Sequence, residues 1–112
     1  MKYLRIKKNT EFSKLFKRGK RVFSPTLTLI YFQSDSLKMG IALSKKHGKA
    51  VVRNRIKRLI REVFSKNSHI LNGKYSIIVA PKVLESYSFS SFEKSIVSCF
   101  KKVNACESSK NS

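Results

Sequence analysis

Lys45-Lys46-His47-Gly48-Lys49-Ala50-Val51-Val52-Arg53-Asn54-Arg55-Ile56-Lys57-Arg58-Leu59-Ile60-Arg61 carries eight Lys or Arg and no acidic residue. From Lys49 onward the pattern is helical. Val52, Ile56, Leu59, Ile60 and Val63 recur at spacings of three and four and so share one face. At about 100° per residue, Arg53, Asn54, Lys57, Arg58 and Arg61 gather on the other side, and Arg55 points away from that arc. The stretch predicts an amphipathic helix to about Phe64, with an apolar floor and a cationic roof.

Such a roof is costly on its own. Surface helices stabilise themselves with opposite charges at i,i+4, and like charges there cost a few tenths of a kcal/mol per pair. Arg53–Lys57 and Lys57–Arg61 are like-charged pairs at this spacing with no acid between them. An external polyanion relieves that repulsion. The bland alternative is a solvated basic face, and a membrane-surface or calmodulin-type helix is another reading. The second of these needs the apolar face free for its partner, although so short a chain needs that face for its core.

The whole sequence points the same way. It has 112 residues, 41% of them hydrophobic, and a net charge of +19. That length supports one domain with a modest core, and the charge creates a field that attracts nucleic acid or an anionic surface. Residues 1–62 hold 18 basic and 3 acidic side chains, a net +15, so the first half is the expected binding half. Cys99 and Cys106 show no metal-ligand spacing and no disulfide framework, which fits a reducing, cytoplasmic setting. The N-terminal residues are basic without an apolar run, so no signal peptide is expected. No run approaches the roughly 20 apolar residues of a membrane span.

Outward from the central stretch, residues 1–8 read as a basic, partly extended arm. Asn9 or Thr10 can cap a short helix that Gly19 ends. Phe12, Leu15 and Phe16 share one face of it, either as core or as a stacking platform bordered by Lys14, Lys17, Arg18, Lys20 and Arg21. Leu27–Phe32 and Lys38–Ser44 read as strands of an antiparallel hairpin turning at 33–36. Gly40 marks a bulge or a close approach. Tyr75–Ala80, nearly all apolar and ending at Pro81, is the pattern of a strand buried on both faces. A strand, a helix and a buried strand predict a βαβ unit with parallel pairing. Ser90-Ser91-Phe92-Glu93 fits a capping box opening a last helix along Phe92, Ile96, Cys99, Phe100 and Val103. Residues 104–112 read as a disordered polar tail. The domain is thus 9–103, in the α/β class.

The sequence offers no protein catalyst of its own. Its six acids, Glu11, Asp35, Glu62, Glu85, Glu93 and Glu107, are scattered. A metal-dependent nuclease needs them clustered, and acid–base hydrolysis needs paired histidines. His47 and His69 stand alone; His47, beside Gly48 in the basic loop, can at most touch phosphate. No catalytic residue and no metal site are assigned to the chain.

Read from Leu43-Ser44 to Arg61-Glu62, the central block resembles the bacterial ribonuclease P protein subunit. Arg53-Asn54-Arg55 is that family's signature tripeptide. Phe12, Phe16 and Gly19 fall on its Phe-x-x-x-Phe-x-x-Gly helix, and the resemblance spans roughly residues 9–103. It implies one α/β domain ordered as helix, small sheet, basic helix, strand and helix, with a left-handed βαβ crossover. It further implies that the chain assembles with a catalytic RNA. That RNA, with its own Mg²⁺, removes the 5′ leader of precursor tRNA. On this resemblance Lys45, Lys46, Lys49, Arg53, Asn54, Arg55, Lys57, Arg58 and Arg61 contact the catalytic RNA. Phe12 and Phe16, with Lys14 and Lys17 as phosphate partners, line a cleft for the single-stranded leader. No membrane or DNA partner is expected. Where the family has an aromatic on the cleft strand, this chain has Ile30 with Tyr31 beside it. A one-residue shift reverses the face, so Tyr31 is left outside the cleft. A structural RNA-binding protein of ribosomal or assembly type is the alternative, and it requires no cleft. A self-sufficient nuclease is disfavoured by the acid count.

Overall fold

A computed structural model describes residues 3–6 and 9–108. In chain order the elements are β1 (Leu4–Arg5), α1 (Asn9–Arg18), β2 (Lys20–Phe23), β3 (Leu27–Gln33), β4 (Lys38–Ile41), α2 (Ala50–Asn67), β5 (Tyr75–Pro81) and α3 (Phe89–Ser108). The strands form one sheet in the order β1-β4-β5-β3-β2. Strand β5 runs parallel to β4 and antiparallel to β3. The β4–α2–β5 segment is therefore the predicted parallel βαβ unit.

The order corrects the expected hairpin. Strands β3 and β4 do not pair, because β5 lies between them. Ile77, Ile78 and Val79 of β5 are all fully buried. A strand apolar on both faces belongs at the centre of a sheet, with neighbours on both edges and helices on both faces. The 34–37 link passes over the start of β5, where the Ser34 N–H donates to the Lys74 carbonyl at 3.0 Å. The real hairpin joins β2 to β3 through Ser24-Pro25-Thr26. Its turn is closed by the Ser24 N–H donating to the Leu27 carbonyl at 3.0 Å.

Residue parity sorts the sheet into two faces. Leu27, Leu29, Tyr31, Met39, Tyr75, Ile77 and Val79 pack with α2 and α3 around Ile56, Ile60, Phe64, Phe92 and Phe100. Ile30 and Ile78 face the other way and meet Leu15 of α1, with Phe12, Phe16 and Phe32 beside them. Tyr31 is thus in the main core, as the parity of Ile30 required. Its phenol donates to Glu107 at 3.1 Å. Burial first, then Cys106 and Glu107, pushes its pKa up.

That contact also explains a second correction. Residues 104–108, expected as the start of a disordered tail, belong to α3. Glu107 additionally pairs with Lys20 at 2.9 Å. Asn104 accepts the Asn72 N–H at 2.9 Å and donates to the Ile70 carbonyl at 2.7 Å. These polar partners hold the last turns where apolar periodicity has ended. Residues 109–112 lie outside the described residues, as do 1, 2, 7 and 8 of the basic arm; Leu4 and Arg5 of that arm pair with β4. At the other end of α3, Ser88 does the capping, accepting the Ser91 N–H at 3.3 Å. Glu93, expected in a capping box, instead accepts from Asn67 at 3.0 Å and pairs with Lys66 at 3.4 Å, tying α3 to α2. The Asn67 hydrogen bond, helped by Lys66, holds its carboxyl below the usual range.

Gly19 lets α1 close onto the sheet. A Cβ there would lie 2.6 Å from Ile30 Cγ2 and 2.6 Å from the Leu15 carbonyl oxygen. Gly19→Ala is expected to destabilise the fold by about 1–3 kcal/mol, the usual cost of overpacking, measured by urea unfolding. An unchanged midpoint would contradict this tight approach.

Candidate nucleic-acid interface

The basic helix is built as its periodicity demands. Ile56, Ile60, Val63 and Phe64 are fully buried. Asn54, Arg55 and Arg58 are exposed, while Arg53, Lys57 and Arg61 are half-buried along one flank. Val52 departs from expectation, being 38% exposed instead of packed, and Val51 beside it is 80% exposed. The first turn of α2 projects past the core, leaving two valines among the cations.

The loop before α2 is held by His47. Its Nδ1 accepts the Ser44 N–H at 3.1 Å. Its Nε2 lies 2.7 Å from the Pro81 carbonyl, an acceptor, so Nε2 carries the proton. Both ring nitrogens are thereby used inside the protein, and His47 is an anchor for the loop, not a free phosphate ligand. Gly48 follows at φ 114°, a conformation L side chains rarely adopt. This pair sets the start of α2 and leaves Lys45, Lys46 and Lys49 exposed beside it.

On the opposite face of the sheet, α1 and the strands form a shallow aromatic groove. Phe12 and Phe16 lie 5.4 Å apart between ring centroids, tilted by 40°. Like them, Ile6, Phe32 and Ala42 are partly buried and pack against Leu15, Ile30 and Ile78. Phe32 is a groove residue the sequence reading missed; counting two residues on from Ile30 identifies it. Gly40 contributes by its absence of side chain. A Cβ there would come within 3.0 Å of the Phe12 ring, so Gly40 is a close approach and no bulge interrupts the β4–β5 register. Lys14 and Lys17 do not line the groove with the rings. They are exposed with Thr10, Ser13 and Arg18 on the solvent side of α1. At about 100° per residue, Lys14 lies about half a turn from the two rings, and Lys17 about 100° from Phe16.

The structure also joins what the sequence kept apart. A cavity of about 170 Å³ at the β1–β4 edge is lined by Phe12 and Gly40, by Arg5 and by Lys57 and Arg61 of α2. The aromatic groove therefore opens at this edge onto the cationic flank of the basic helix. Arg53 heads the same flank. Its Nε is buried without a hydrogen-bond partner among the described residues. No group of three His, Cys, Asp or Glu among the described residues could hold a metal.

Comparison with known proteins identifies the family. The family model described as Ribonuclease P matches residues 1–104. A ribonuclease P protein component from Clostridium kluyveri is 41% identical over 108 residues, covering 91% of this chain and 96% of its own. One from Bacillus velezensis is 39% identical over 103 residues, 89% of each. Among solved structures, the Staphylococcus aureus RNase P protein superposes with a TM-score of 0.79 at 31% identity, covering 91% of this chain and 96% of that one. The Thermotoga maritima RNase P protein gives 0.78 at 26% identity, with 88% and 96% covered. With a family model spanning the fold and relatives near 40% identity along almost their whole length, the chain belongs to the ribonuclease P protein family.

Proposed function

We propose that this chain is the protein subunit of ribonuclease P, docking on the catalytic RNA through α2 and holding the 5′ leader of precursor tRNA in the α1 groove. The family's role is in tRNA 5′ processing by an endoribonuclease. The observation that carries the two-surface reading is the cavity shared by Phe12, Lys57 and Arg61. A strand entering the groove meets aromatic faces first and fixed cations next. Stacking accepts any base, and the cations track its backbone.

On this reading Arg53, Asn54, Arg55, Lys57, Arg58, Arg61, Lys45, Lys46 and Lys49 meet the catalytic RNA. Arg forks suit phosphates and base edges, and Asn54 both donates and accepts. Phe12, Phe16 and Phe32 face the leader. Phosphodiester hydrolysis, with its Mg²⁺, is assigned to the RNA, and the protein binds, orients and neutralises. The binding unit is 9–103 of the sequence reading, lengthened to Ser108 by α3. A cytoplasmic location accompanies this role. No helix among the described residues is long and apolar enough to cross a membrane.

The test compares precursor and mature tRNA binding to the catalytic RNA with and without the protein. The expected result is a gain in affinity confined to the precursor. An equal gain for both would remove the leader role and favour a purely structural RNA-binding protein.

A further inference from the structure

The solvent side of α1 is as unusual as its groove side. Lys14, Lys17 and Arg18 are exposed at i, i+3 and i+4. With Thr10 and Ser13 they form one open surface strip with no apolar residue in it. Like-charged neighbours at this spacing repel. None of the three forms an ion pair among the described residues. Glu11, on the same helix, is turned toward β4 and pairs with Lys38 at 3.4 Å. A surface made of cations and hydroxyls, with no aromatic ring and no apolar residue, suits a sugar-phosphate backbone.

Position decides which backbone. Helix α1 is the outer wall of the aromatic groove, so a strand leaving the groove over that wall arrives on this stripe. Helix α2 packs on the opposite face of the sheet. An RNA docked on α2 is separated from the stripe by the sheet and by α1 itself. We propose that the distal part of the 5′ leader leaves the groove over α1 and lays its phosphates on Lys14, Lys17 and Arg18, with Thr10 and Ser13 as hydroxyl donors. This rests on the leader-groove reading and extends it. Bases are held inside the groove, and phosphates, without regard to sequence, are held outside it.

The test uses the holoenzyme carrying Lys14→Ala, Lys17→Ala and Arg18→Ala together. Two precursor tRNAs serve as probes, with leaders of about 4 and about 16 nucleotides, the range of single-strand site sizes. The triple variant is expected to lose about tenfold in affinity for the long leader and little for the short one. With about 0.7 counterions released per single-strand phosphate, its log–log salt slope on the long leader should fall by about two. A charge-preserving variant, Lys14→Arg with Lys17→Arg and Arg18→Lys, should bind as the wild type does. Equal losses on both leaders, or no loss on either, would overturn the proposal. So would a loss of assembly with the catalytic RNA when no precursor is present, since that would assign the stripe to the RNA subunit. Phe16→Ala, measured in parallel, keeps the two readings apart. If it leaves short-leader binding intact, the groove reading itself fails. If it weakens short-leader binding while the triple variant binds the long leader normally, only the stripe fails.

Discussion

Replacing Phe12 and Phe16 together with alanine is expected to lower precursor tRNA affinity by about a hundredfold while leaving mature tRNA binding unchanged. Base–aromatic stacking is worth about 1–3 kcal/mol per base, so two rings account for a factor of that size. The rings are half-buried, and the fully buried Leu15 between them keeps α1 on the sheet. The variant therefore retains the element that carries the groove. Phe12→Leu with Phe16→Leu separates stacking from apolar cover. It restores the packing against Ile30 and Ile78 but not the π faces, and should recover stability without recovering precursor affinity. Equal losses for precursor and mature tRNA would show that the rings serve only the core.

The second large effect concerns α2. Arg53→Ala, Arg55→Ala and Arg58→Ala combined are expected to weaken assembly with the catalytic RNA by at least about a hundredfold at physiological salt. The slope of log affinity against log salt should fall by about three, at roughly 0.9 per duplex phosphate contact. Arg55 and Arg58 are exposed, so their loss does not touch the core. Arg53 contributes differently, because it is half-buried, with no hydrogen-bond partner to its Nε among the described residues. Its removal should lower RNA affinity while changing stability by less than about 1 kcal/mol. Titrations across salt, paired with urea unfolding, resolve the two effects. An unchanged slope would mean that these arginines do not neutralise phosphate.

Much of this was legible in the residues. The 3.6-residue rhythm of Ile56, Ile60 and Val63 placed α2. The nearly all-apolar run of β5 implied a strand covered on both faces. What that run also implied, a central position separating β3 from β4, was not drawn from it, because adjacent strands joined by a short polar link resemble a hairpin. Strand β2 was hidden because Lys20 and Arg21 read as a basic flank, and an edge strand with one solvated face needs little apolar signal. The last turns of α3 were hidden for a different reason. Glu107, Asn104 and their partners stabilise them through polar contacts across the fold, which no local pattern encodes.

The site was legible in type and less so in geometry. Phe12, Phe16 and the cationic arc were readable from spacing. Lys14 and Lys17 were close in sequence to the rings, yet helical rotation carries them to the solvent side of α1. The meeting of Phe12 with Lys57 and Arg61 depends on β1 pairing alongside β4, a contact between distant segments. His47 could be seen as a lone histidine in a basic loop, but its two hydrogen bonds needed the end of β5 to be placed.

The central claim is that this chain makes RNA-catalysed 5′ maturation work without cleaving RNA itself. The measurement that tests it most directly is cleavage of a 5′-extended precursor tRNA by a bacterial ribonuclease P RNA at low Mg²⁺, with and without the protein. The account predicts that the protein restores accurate 5′ maturation in the presence of the RNA and produces no cleavage alone. Full RNA activity unchanged by the protein, or cleavage by the protein without RNA, would contradict it.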